Sequence, residues 1–213
     1  MKEIKIKIID YGMANLRSVA NAFAALKYQA TITNNPEDLR QATHIILPGV
    51  GAFGDGMKNL MSGGWIKVLE EEIREKNKPF LGICLGMQLL ATVGTEHGYN
   101  KGLDWIKGVV KPLEPNEPII RIPHIGWNQV NFLKKNYLYS DLGDSQVFYF
   151  VHSYVFHPED YKVISSVTSH GIEFVSSIEY DNIYAVQFHP EKSHKIGLQV
   201  LKNFINKTGG DNA

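Results

Sequence analysis

The one cysteine of the chain, Cys84, stands in Gly82-Ile-Cys-Leu-Gly86. Apolar residues lead into this stretch from Lys78-Pro-Phe-Leu, and Met87 to Val93 leave it as an apolar, helix-like run. Glycines two residues either side of a nucleophile suit a strand–turn–helix elbow. The nucleophile takes a strained backbone, and the missing Cβ atoms let strand and helix pass closely. The thiol then projects at the carboxyl end of the strand, over the amino end of the helix, where the macrodipole favours a thiolate. The amide of Leu85 points the same way and is a candidate donor to an oxyanion. A thiol nucleophile needs a base, and Gln187-Phe-His-Pro-Glu191 offers one. Pro190 drives His189 toward extended backbone, and residues two apart in an extended segment share a face. His189 and Glu191 can therefore address one site as base and orienter, completing a nucleophilic triad with Cys84.

Plainer roles compete with these. A lone cysteine is most often a small buried hydrophobe, and His-Pro-Glu by itself is an ordinary surface loop. Each motif argues for the other, because the elbow cysteine requires a base. His124 and His152, in apolar or aromatic surroundings, read as well as satisfied structural histidines. No His/Cys/Asp/Glu grouping has metal-ligand spacing, so neither a metal nor another cofactor is expected.

The elements that must position the triad follow from the pattern. Ile4 to Ile9 reads as a strand, Asn15 to Leu26 as a helix with Leu16, Val19, Ala20, Phe23 and Leu26 at helical spacing, and Ala30 to Thr33 as a strand. Pro36 to Gln41 reads as a helical turn and His44 to Leu47 as a buried strand. Strand and helix alternating in this way predict a parallel sheet with helices on both faces. Pro48-Gly-Val-Gly51 follows the His44 strand directly, at the sheet edge where such folds bind ligands. Its glycines allow an amide near Val50 to be aimed or reoriented. Met57 to Leu60 and Trp65 to Lys76 read as helical. Beyond Val93 the character changes to proline-punctuated short runs. Val147 to Val151, Val163 to Thr168, Ile172 to Ser177 and Tyr184 to Phe188 read as antiparallel strands, and Ile196 to Ile205 as a closing amphipathic helix.

The length of 213 residues suits one domain, expected over 1–207 with a frayed tail at 208–213. Formal net charge is zero, which leaves no electrostatic footprint for nucleic acid or a membrane surface. One cysteine excludes an internal disulfide framework. The start, Met1-Lys-Glu-Ile-Lys-Ile-Lys-Ile-Ile, alternates charge with isoleucine like a strand and unlike a signal peptide. No run is apolar enough to span a bilayer. A cytosolic chain is expected.

Taken together, Pro48-Gly-Val-Gly51, Gly82-Ile-Cys-Leu-Gly-Met-Gln88 and Gln187-Phe-His-Pro-Glu-Lys-Ser193 resemble the class I (triad) glutamine amidotransferases. Tyr11-Gly-Met-Ala-Asn-Leu16, Pro48 to Phe53, Pro123-His-Ile-Gly-Trp-Asn128, Tyr149-Phe-Val-His-Ser-Tyr154 and the Glu-Lys-Ser ending narrow the resemblance. It is then to the glutaminase subunits of imidazole glycerol phosphate synthase, over nearly the whole chain. The resemblance implies a flavodoxin-like α/β fold, mostly parallel and helix-flanked, with an antiparallel extension in the C-terminal half. It implies that Cys84 attacks the side-chain amide of glutamine, that His189 moves the protons and that Glu191 orients His189. The oxyanion would be held by the amides of Leu85 and, after a peptide reorientation near Gly49, Val50. Gly51, Gln88, Glu96 and the segment His152-Ser153-Tyr154 would bind substrate. From sequence alone, Glu96 reads equally as a solvated loop charge. Ammonia escapes readily into water, so such glutaminases feed a synthase through a tunnel. Here the implied partner is a (β/α)8-barrel cyclase of histidine biosynthesis, in a heterodimer. Asn15, Trp127, Tyr149 and Lys192 match positions at that interface or its ammonia gate.

Gly102-Leu-Asp-Trp-Ile departs from the family by being bulkier and more polar. That leaves open a related synthase that amidates or amidinates a sugar in surface-polysaccharide biosynthesis. A non-catalytic binding subunit and a partner-free cysteine hydrolase are the rivals of other classes.

Overall fold

The computed structural model describes residues 3–116, 119–134 and 137–208. The tail expected to fray lies outside them from residue 209 onward, and Thr208 closes the last helix.

The N-terminal half alternates strand and helix as its pattern requires: β1 (Ile6–Ile9), α1 (Leu16–Ala25), β2 (Ala30–Thr33), β3 (His44–Gly49), α2 (Phe53–Ser62), α3 (Trp65–Leu69), β4 (Phe80–Cys84) and α4 (Leu85–Gln88). A short 3-10 helix, Pro36–Gln41, precedes β3. The strands lie parallel in the order β2-β1-β3-β4, the flavodoxin-like arrangement whose ligand crevice opens at the carboxyl ends of the strands. Both faces are buried. Ile45 and Leu47 of β3 enter the core on one face and Ile46 the core on the other, which is why this strand reads as a continuous apolar run. Phe23 of α1 is fully buried on the second face.

The C-terminal half supplies β5 (Val93–Gly94), β6 (Asn100–Lys101), β7 (Gly108–Pro112), β8 (His124–Phe132), β9 (Ser145–His152), β10 (Tyr154–Pro158), β11 (Ile164–Ser169), β12 (Glu173–Tyr180), β13 (Ile183–Val186) and α5 (His194–Thr208). The main sheet has nine strands, ordered β2-β1-β3-β4-β13-β12-β11-β8-β9. A small sheet, β10-β7-β5-β6, stands beside it. The expected antiparallel extension is present as β12, β11, β8 and β9. β13 corrects one part of the expectation: it is antiparallel to β12 but parallel to β4. It is therefore the seam of the sheet and delivers the segment after Val186 to the same edge as Cys84.

Two further expectations change. The helical run from Trp65 becomes α3 followed by a π-type stretch, Glu70–Glu75. The helix expected over Met87 to Val93 ends at Gln88. A later loop takes the carbonyls that helix would have used. The amides of Leu103, Trp105 and Asp104 donate to Leu89, Leu90 and Ala91 at 2.9, 3.0 and 3.0 Å. A Cβ on Gly102 would sit 2.1 Å from the Ala91 oxygen, so that loop needs glycine to come so close. The dipole at the elbow is accordingly that of one turn only.

Candidate active site

Cys84 ends β4 with φ +54° and ψ −108°, a conformation that L residues adopt only under constraint. The constraint is close packing by glycines. A Cβ on Gly86 would lie 1.9 Å from the carbonyl oxygen of Leu47, and one on Gly82 would lie 2.7 Å from that of Gly86. Gly49 is the register partner of Cys84 on β3. The elbow read from the sequence is thus built as expected, with the thiol at the carboxyl edge of the parallel strands.

His189 and Glu191 follow β13 across that edge. His189 Nδ1 and Glu191 Oε1 are 2.8 Å apart, both side chains almost fully buried. Burial pulls the imidazole down, but hydrogen bonding toward Cys84 and Glu191, with the charges of both, outweighs it and lifts His189 to about 10. Nε2 makes no hydrogen bond of ordinary geometry. Thiol and imidazole thus face one another at a distance that still lets charge act, the looseness common in unliganded sites. At neutral pH the imidazole holds a proton that it can give to a leaving group.

Gln187 belongs to the site as well. Its Nε2 donates toward Cys84 Sγ at 3.6 Å, and its Oε1 accepts from Gln88 Nε2 at 3.0 Å. Gln88 Nε2 also donates to the Tyr154 carbonyl at 2.9 Å, so both of its bonds to the protein run through the amide nitrogen. Gln187 had a sequence signal: it shares the two-residue period that joins His189 to Glu191.

A cavity of about 490 Å³ opens in front of the thiol. Val50, Gly51, Cys84, Leu85, Gln88, Glu96, His152, Ser153, Tyr154 and Lys192 all line it. Of Cys84, His189 and Glu191, only Cys84 lines it. Glu96 Oε2 accepts the Phe53 amide at 2.9 Å and so caps α2. His152 has no free ring nitrogen. Nδ1 donates to the Tyr154 carbonyl at 3.1 Å and Nε2 meets His124 Nδ1 at 3.0 Å. His124 Nε2 in turn accepts from Asn128 Nδ2 at 3.2 Å. This chain fixes both tautomers, and burial pulls His124 to about 4 and His152 to about 3, so both stay neutral. What His152 offers a ligand is its main chain.

Leu85, first residue of α4, has an amide without an intrahelical acceptor and aims it along the helix axis. The Val50 amide is engaged elsewhere: it donates to the Met13 carbonyl at 2.7 Å. Of the two amides expected to face an oxyanion, that of Leu85 is not used within α4, and that of Val50 is held by the loop after β1.

Trp127 and Tyr149 meet edge to face at 6.0 Å on the β8–β9 hairpin. Lys192 Nζ lies 5.7 Å from the centre of the Tyr149 ring, and His194 stacks on Trp127 at 4.8 Å. Trp127 is 47% exposed, which removes it from the core. Asn15 is the exposed N-cap residue of α1, a helix that packs on the turn Pro190–Lys192.

An elbow cysteine backed by a histidine and a glutamate on a parallel sheet defines a class of protein, and comparison agrees. The family model for class-I glutamine amidotransferases matches residues 7–208, and the chain belongs to that family. Imidazole glycerol phosphate synthase subunit HisH of Aquifex aeolicus is 49% identical over 201 residues, 94% of this chain and 95% of that protein. The HisH subunit of Zymomonas mobilis is 45% identical over 205 residues, again 94% and 95% of the two chains. The crystal structure of a glutamine amidotransferase from Thermotoga maritima, 16% identical, superposes with a TM-score of 0.72 over 99% of this chain and 100% of its own. That likeness speaks for the fold.

Proposed function

We propose that this chain is the glutaminase subunit of an imidazole glycerol phosphate synthase, serving histidine biosynthesis. The observation that carries the reading is Cys84 held at positive φ against the buried His189–Glu191 pair, at the mouth of a cavity of about 490 Å³. Near-full-length relatives at 45% and 49% identity are HisH subunits. The sulfur of Cys84 adds to the side-chain carbonyl of glutamine. The charge developing on oxygen is met by the Leu85 amide and, once its peptide turns, by the Val50 amide. His189 gives its proton to the departing nitrogen, and ammonia leaves a γ-glutamyl thioester. Water, with His189 as base, adds to the thioester and releases glutamate, and the thiol is restored. Gln88 Oε1, Glu96 Oε1, the Gly51 backbone and the main chain of 152–154 hold the amino-acid end.

The ammonia passes to a (β/α)8-barrel partner docked on Trp127, Tyr149, Lys192 and Asn15. There it completes imidazole glycerol phosphate and an aminoimidazole carboxamide ribotide. The closed Val50 amide predicts that the isolated chain is slow. The test is glutamate release by the chain alone, by the chain with the barrel subunit and an acceptor analogue, and by Cys84→Ala in each case. Low activity alone, a large rise with the loaded partner and none in the variant are expected. Equal turnover with and without the partner would overturn the coupling, and full activity in Cys84→Ala would overturn the mechanism. Stimulation by a sugar-amidating synthase in place of the cyclase would move the chain to that pathway.

A further inference from the structure

Tyr11 follows β1 and is 5% exposed. Its hydroxyl is buried and has no hydrogen-bond partner among the described residues. Buried hydroxyls are nearly always paired, so an unpaired one calls for an explanation. Its surroundings supply one. A Cβ built on Gly49 would come within 2.2 Å of the Tyr11 oxygen, so the phenol fills space that only glycine leaves beside that α-carbon. Burial, and then the charge of Cys84, push the phenol well above its ordinary range. It therefore keeps its proton at any physiological pH and remains a donor.

The Gly49–Val50 peptide is planar and trans, so the Gly49 carbonyl and the Val50 amide point in opposite directions. At rest the amide is spent on Met13. Turning the peptide to aim that amide at an oxyanion swings the Gly49 carbonyl toward the side where the Met13 carbonyl lies. Two carbonyl oxygens cannot satisfy one another, and a buried carbonyl left unpaired is costly. We propose that the Tyr11 hydroxyl is the donor that receives the Gly49 carbonyl when the Gly49–Val50 peptide turns, which makes Tyr11 a positioning residue for the oxyanion hole. The inference rests on the glutaminase reading above. The hydroxyl is unsatisfied in the resting arrangement and satisfied in the turned one, so it draws the peptide toward the competent state.

Tyr11→Phe, assayed in complex with the barrel subunit and its acceptor analogue, tests the assignment. The ring is kept and only a hydroxyl unpaired at rest is lost. The expected result is a kcat for glutamine hydrolysis lowered about tenfold, the effect of one hydrogen bond made late. KM for glutamine stays unchanged and Tm is no lower than wild type. Iodoacetamide labels Cys84 at the wild-type rate, because alkylation uses the sulfur but forms no oxyanion. Wild-type kcat in the variant overturns the proposal. So does a kcat loss accompanied by a lower Tm or slower alkylation, which marks a packing role. A wild-type complex that releases no glutamate fells the glutaminase reading itself and this inference with it.

Discussion

Tyr149 and His189 are joined main chain to main chain. The His189 amide donates to the Tyr149 carbonyl at 2.9 Å. Ser193 closes the loop, its Oγ accepting the Tyr149 amide at 3.0 Å and donating to the His189 carbonyl at 2.6 Å. Tyr149 belongs to β9, the edge strand, and its ring lies beside Trp127 and Lys192. The backbone of two residues therefore links that edge to His189, the route by which the proposed partner would act on the proposed base. Ser193→Ala should reduce the ratio of partner-stimulated to basal glutamate release several-fold, because it orphans the Tyr149 amide and frees the histidine turn. An unchanged ratio would show that the edge and the base are not coupled by this route.

Gly86 has no room to become anything larger. Its Cβ would lie 1.9 Å from the Leu47 oxygen, backbone that cannot swing away. Gly86→Ala should destabilise by about 1–3 kcal/mol or more, lowering Tm by about 2–4 °C per kcal/mol for a chain of this size. Differential scanning calorimetry reads the result, and a wild-type Tm would refute the packing account of the elbow.

Gln187 donates toward the Cys84 sulfur at 3.6 Å. Gln187→Glu keeps the acceptor that Gln88 uses but replaces the donor with a negative charge. Alkylation of Cys84 by iodoacetamide should slow about tenfold or more, and kcat should fall with it while the KM for glutamine holds. Unaltered alkylation would mean that Gln187 serves only to hold Gln88.

Opposite shifts among the histidines give stability two pH limbs. Burial lowers His44 to about 4, His124 to about 4 and His152 to about 3, against about 6.5 in an unfolded chain. As pH falls below about 6.5 the unfolded chain takes up protons that the folded chain refuses. Stability then declines toward pH 4 by up to about 1.4 kcal/mol per unit for each group. His189 is reversed. Raised to about 10, it contributes stability that is full below about 6.5 and is lost as pH rises through 10. Thermal melts across pH should show His152→Gln flattening the acid limb and His189→Gln the alkaline one. Parallel profiles in wild type and both variants would contradict these assignments.

What the sequence made legible tracks how local its causes are. The parallel half could be read because β3 is apolar on both faces and because Pro48 and Gly49 mark its end. The meeting of Cys84, His189 and Glu191 could be read because Gly82 and Gly86 leave room for close packing and Pro190 restricts the backbone, each within two residues of the group it positions. The length of the elbow helix could not be read. Leu89, Leu90 and Ala91 look helical, and their carbonyls are captured by amides from Leu103 to Ile106, far along the chain. The direction of β13 was hidden for the same reason: its four buried residues pair with β4 and β12 on opposite sides, in opposite senses. His152 was a cavity residue by position, yet its ring belongs to a chain of bonds with His124 and Asn128 that no short spacing reveals.

The placement of β13 bears on how the enzyme comes into being. This strand is the last among the described residues, and it enters the middle of the main sheet, between β4 and β12. A ribosome-bound chain that has passed Cys84 but not Val186 carries the cysteine without His189 and Glu191, on a sheet split down the centre. The late strand closes that gap and brings His189 and Glu191 to the edge where Cys84 stands. A copy cut before Val186 therefore lacks His189 and Glu191 and leaves β4 without its partner on that side.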